Sequence, residues 1–111
     1  EHEVQFYYIG LTEEEKNMAE EMINDLDPIY LKAQKDIYFV KNISEFKNIY
    51  GYNNIIWKKI YISFSFNEDM IRKTLCHELL HTHFYLDEVS HEIIQLLEDV
   101  CYLQKYNTQC L

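Results

Sequence analysis

The chain has 111 residues, 48% of them hydrophobic and 15% aromatic, with a formal net charge of −9. That length leaves room for one packed domain, since two halves would each be too small to bury a core, and the apolar content argues against disorder. Gly 2 and Pro 1 exclude glycine-rich phosphate loops and proline-rich linkers, and the acidic balance argues against nucleic acid as a partner.

In chain order, VQFYYI at residues 4–9 predicts a strand closed by Gly10. Thr12 and Glu15 have capping-box spacing, and Met18, Met22 and Ile23 have helical periodicity, so a helix is expected over 12–24. Asp27-Pro28 breaks the chain. IYFVK at 37–41 predicts a second strand, and 44–50 a short helix stopped by Gly51. Asn53-Asn54 predicts a turn before a short strand at 55–57, with Lys58-Lys59 turning or bulging the chain. Residues 60–66 alternate, with Ile60, Ile62, Phe64 and Phe66 on one face.

Asn67 is a predicted N-cap, followed by the acids Glu68 and Asp69, and a helix is expected over 68–85. Its apolar residues point almost all round, which predicts a central, buried helix. After a loop at 86–90, with Ser90 as cap, a last helix is expected to about 106. Its stripe is Ile93, Leu96, Leu97, Val100 and Leu103. The expected fold is α+β: a small twisted mixed sheet packed on helices, forming one domain over 1–111.

Cys76, Cys101 and Cys110 are odd in number, with no Cys-x-x-Cys. That pattern predicts reduced thiols, Cys76 and Cys101 being small core residues. No basic-then-apolar leader opens the sequence, and no apolar run is long enough to span a bilayer. The expectation is a soluble, cytoplasmic protein.

The helix over 68–85 carries His77-Glu78-Leu79-Leu80-His81, an H-E-x-x-H motif. Four residues make about one turn, so both imidazoles project from one face and can share one tetrahedral Zn²⁺. Glu78, about 100° round the helix, does not ligate. It is placed to take a proton from a water acidified by the metal. The spacing is what metal-assisted hydrolysis needs, with His77 and His81 as ligands and Glu78 as general base. A metzincin would need a Gly and a third His where Phe84 and Asp87 stand.

A catalytic zinc takes a third protein ligand and keeps one position open. If the last two helices form an antiparallel hairpin turning near Asp87-Glu88, residues 94–98 lie level with the histidines. Glu98 falls there, at the edge of the apolar stripe beside Ile94 and Cys101. His91, Glu92 and Asp99 are the alternatives. His83 points away from the histidine pair and is expected to be a surface or satisfied histidine.

HELLH on one helix, followed by a helix offering Glu98, resembles the gluzincin metallopeptidases, the thermolysin-like clan. The element order is similar to that of the small minigluzincins. The resemblance implies a zinc-dependent endopeptidase acting on a peptide or protein substrate. It also implies that an antiparallel edge strand, expected at 54–57, forms the upper rim of the cleft and pairs with extended substrate. Many gluzincins place an Asp four residues after the ligand Glu; here that position is Tyr102.

Two further expectations accompany this reading. A terminal segment, within 1–10 or 106–111, could fill the cleft and keep the enzyme latent, with His2, Glu3 or Cys110 reaching the metal. The other function class is a non-catalytic structural or regulatory zinc-binding protein with a blocked site.

Overall fold

In the computed structural model, residues 3–32, 34–41, 43–44, 48–84 and 91–103 are described. Strand β1 spans Gln5–Ile9, helix α1 Glu13–Asn24, β2 Asp36–Val40, β3 Gly51–Asn54, β4 Lys59–Ser63, α2 Glu68–His83 and α3 His91–Leu96, with a 3₁₀ turn at Pro28–Leu31. The sheet order is β1-β2-β4-β3. Strands β1, β2 and β4 run parallel, and β3 pairs antiparallel with β4. The fold is α+β, with a mixed four-stranded sheet and three α-helices among the described residues.

Local chemistry explains most of the boundaries. The Glu15 N–H donates to Thr12 Oγ1 (3.2 Å) and the Thr12 N–H to Glu15 Oε1 (2.9 Å), satisfying two donors at the start of α1. Asn67 caps α2 by accepting from the Met70 N–H at 2.9 Å. Gly10 ends β1 at φ +79°, where a Cβ would lie 2.4 Å from the Lys41 carbonyl oxygen.

One face of the sheet carries Phe6, Ile37, Ile60 and Asn53 in one row and Tyr8, Phe39, Ile62 and Gly51 in the next. Helix α2 lies against this face. Gly51 is needed there, because a Cβ would sit 2.7 Å from Thr74 Cγ2. Ile37, Phe39, Ile60 and Ile62 are fully buried with Ala19 and Met22 of α1 and Leu75, Leu79 and Leu80 of α2. The expectation of a buried α2 is met: seven of its side chains are buried, including Ile71, Cys76 and Thr82. No helix among the described residues is long and apolar enough to cross a membrane.

Three elements differ from expectation. The alternation over 60–66 yields a strand only at Lys59–Ser63, with Phe64 and Phe66 beyond its end. The edge strand is Gly51–Asn54, not 55–57, and residues 55–58 are the turn, closed by Lys58 at φ 59°. Pairing with β4 overrides the turn preference of Asn53-Asn54. Trp57 therefore sits in a turn, 67% exposed, rather than in a strand.

The last helix stops at Leu96 instead of continuing to about 106. Residues 97–101 turn, and the chain then bonds to the segment after α1. The Asp27 N–H donates to the Cys101 carbonyl and the Leu103 N–H to the Asp25 carbonyl, both at 2.7 Å. This bridge between Leu26 and Tyr102 replaces the helical bonds that periodicity predicts. The apolar stripe changes with it: Ile94 and Cys101 are buried, while Ile93, Leu96, Leu97, Val100 and Leu103 are exposed.

Several expectations lie outside the described residues. These are His2, Cys110, the terminal segment 106–111, the Ser90 cap, the loop over 86–90 and residues 45–47. The other terminal segment, 1–10, is described from residue 3 and supplies β1 at the sheet edge away from β3, and residues 48–50 of the expected short helix are not helical.

Candidate metal centre

Helix α2 places His77 and His81 one turn apart, and their rings meet edge to face with centroids 4.7 Å apart. The two Nε2 atoms face each other at 3.1 Å. Two nitrogens on one tetrahedral zinc, each at roughly 2.0–2.1 Å, stand about 3.3–3.4 Å apart. The pair therefore fits a shared metal with almost no rearrangement.

His77 Nδ1 lies 2.9 Å from Glu98 Oε2, and both side chains are partly buried. A carboxylate accepts only, so His77 carries its proton on Nδ1 and keeps Nε2 as an electron-pair donor. The turn after α3 thus brings Glu98 to the histidines, but onto the outer nitrogen of His77. In this arrangement Glu98 meets His77 on the side away from the facing Nε2 pair. Among the described residues, no three His, Cys, Asp or Glu side chains surround one point. Glu92 and Asp99 are exposed, and the His91 side chain lies outside the described residues. His83 packs elsewhere, against Tyr30 and Phe84 with ring centroids 4.9 and 4.8 Å away.

Glu78 follows His77 and faces an open cleft of about 370 Å³, lined also by Tyr50, Gly51, Met70, Thr74 and Glu98. Burial pushes its carboxyl up to about 7. Its main chain is anchored from the edge strand: Asn53 Nδ2 donates to the Glu78 carbonyl (2.7 Å) and to Thr82 Oγ1 (2.6 Å). Asn53 Oδ1 is buried without a partner among the described residues. The Asn-Asn pair signals a turn in sequence, and nothing local in it announces this anchoring role.

Behind the histidines, the Cys76 and Cys101 thiols are buried and free. The Cys101 N–H donates to Cys76 Sγ at 3.3 Å, and Cys101 Sγ–H to the Cys76 carbonyl at 3.7 Å. The hydrogen bond with Cys76, then burial, pushes the Cys101 thiol far up. Tyr102 donates its hydroxyl proton to the Arg72 carbonyl at 2.6 Å. It holds the 97–103 segment on α2 without touching the histidines.

The raised Glu78 carboxyl makes stability depend on pH. The native metal-free chain holds this proton more tightly than the unfolded chain does. Its contribution is therefore full below the ordinary carboxylate value of 4.5 and is lost as pH rises through about 7. In chelator, thermal unfolding is expected to show wild type losing up to about 3 kcal/mol relative to Glu78→Gln between these limits. An unchanged difference between the two proteins over that range would contradict the burial of this carboxylate.

Compared with known proteins, the chain matches no family model, no curated protein and no solved structure.

Proposed function

We propose that this chain is a zinc-dependent peptidase of zincin type in which His77 and His81 hold the metal and Glu78 is the general base. The observation that carries this reading is the 3.1 Å approach of the two Nε2 atoms, one residue from a partly buried carboxyl on an open cleft. The antiparallel edge strand beside that cleft also supports it, since Gly51 of β3 lines the cavity with His77 and Glu78. When bound, zinc supplies a Lewis acid that polarises the scissile carbonyl and acidifies water.

The protein's own groups do the rest. Glu78 accepts a proton from the water whose oxygen attacks the peptide carbonyl carbon, and passes that proton to the amine as the C–N bond breaks. Asn53 holds the Glu78 main chain, so the carboxylate works from a fixed origin. Glu98 holds the His77 Nδ1 proton and keeps Nε2 available for the cation.

The test is metal analysis followed by a peptidase assay on an unstructured protein. One zinc per chain and chelator-sensitive cleavage are expected. Zinc without cleavage would favour the structural or regulatory alternative, and no zinc would overturn the reading.

A further inference from the structure

The turn between β3 and β4 carries the chain's one tryptophan. Trp57 is 67% exposed, and Ile56 beside it is 85% exposed. Two large adjacent apolar side chains at the tip of a turn differ from single hydrophobics scattered over a surface. The turn is also firmly tied down. The Trp57 N–H donates to Asn54 Oδ1 at 3.1 Å. The Lys58 carbonyl accepts from the Lys35 N–H at 3.1 Å, the Asp36 N–H at 3.2 Å and the Gln34 side-chain amide. Ile56 and Trp57 thus project from a base fixed to the start of β2, with little main-chain freedom left to lose on binding.

The base of the turn is cationic. Lys35 and Lys58 are exposed. The ion pairs among the described residues engage Lys41, Arg72 and Lys73 instead. Lys59 sets its Nζ 5.9 Å from the centre of the Tyr38 ring. Among residues 34–36 and 54–59 the one acid is Asp36, which is buried. Glu3 precedes β1, two strand spacings from β4, about one screening length away at physiological salt. A chain of net charge −9 therefore presents its most exposed apolar pair on a locally positive footing.

That combination fits a lipid surface. Tryptophan is apolar in its body and polar at its N–H, and it favours the boundary between water and hydrocarbon. Lysine stems lie along the apolar layer while their ammonium groups stay at the headgroups. A convex tip needs no matching pocket on a surface that yields around it, and the cations select a negative one.

We infer that the β3–β4 turn is a membrane-docking tip. Ile56 and Trp57 enter the headgroup layer of an anionic phospholipid bilayer, and Lys35 and Lys58 meet its negative groups. The attachment is peripheral and leaves the histidine pair untouched, so it holds with or without metal.

The lone tryptophan reports its own insertion. Vesicles of equal parts phosphatidylserine and phosphatidylcholine are expected to shift Trp57 emission to the blue, and brominated acyl chains to quench it, in chelator as well as with zinc. Vesicles of phosphatidylcholine alone are expected to bind about tenfold more weakly or less. In co-sedimentation with the anionic vesicles, joint Lys35→Gln and Lys58→Gln replacement is expected to weaken binding about 25-fold, roughly fivefold for each lysine. Trp57→Ala is expected to weaken it about tenfold or more, with a thermal midpoint near that of wild type because the side chain is exposed. No vesicle binding at low ionic strength, equal binding to both vesicle types, binding with unchanged Trp57 emission, or undiminished binding of Trp57→Ala would overturn the inference.

Discussion

Glu78→Gln is expected to bind zinc as wild type does and to hydrolyse peptide about a thousandfold more slowly. The amide keeps the shape of the carboxylate but cannot accept a proton, and general-base assistance is worth roughly 10²–10⁴-fold. Metal retention is expected because the two Nε2 atoms and the Glu98 partner of His77 are untouched. The Glu78 main chain also stays anchored, since Asn53 bonds its carbonyl rather than its side chain. The measurement is turnover alongside zinc stoichiometry. Undiminished turnover in zinc-loaded Glu78→Gln would remove Glu78 as the base.

The second large effect is on the metal. His81→Ala removes one of the two facing nitrogens and is expected to weaken zinc about a thousandfold. That is about 4 kcal/mol, one ligand's share of a binding free energy of roughly 10–16 kcal/mol. Glu98→Ala separates two roles. As the orienting partner of His77 Nδ1, its loss is expected to cost about 10–100-fold in zinc affinity. A loss as large as that of His81→Ala would make Glu98 a direct ligand instead. Competition with a chromogenic chelator reads both variants on one scale.

Where the determinants are local, the fold follows the sequence closely. Thr12 with Glu15, and Asn67 before Glu68, mark helix starts through bonds made within three residues. The alternation of Ile60 and Ile62 marks β4 because one side of it is fully buried. Where distant partners decide, the sequence misleads. Asn53 and Asn54 favour a turn in isolation but form a strand because β4 offers them a ladder. Helical periodicity runs on past Leu96, yet Asp25 and Asp27 draw the chain away at Cys101 and Leu103.

The candidate site divides the same way. The spacing of His77, Glu78 and His81 is a property of one helix and is legible at once. Which nitrogen of His77 meets Glu98 depends on where a non-helical turn sets a carboxylate, and a helical wheel carries no such information. Asn53 belongs to the site only because an edge strand crosses α2 at Glu78.

The bridge between Leu26 and Tyr102 also bears on how the molecule assembles. It closes a loop comprising most of the chain, at an entropic cost that local contacts do not meet. The β1-α1-β2 unit forms from neighbours in sequence, whereas Glu98 reaches His77 on a segment held to α2 by Cys76, Cys101 and Tyr102 and to the turn after α1 by the bridge. The histidine pair is thus built on a single helix, and its carboxylate partner comes from a separate segment. Opening of the complete Glu98–His77–His81 array is therefore expected to precede unfolding of the sheet.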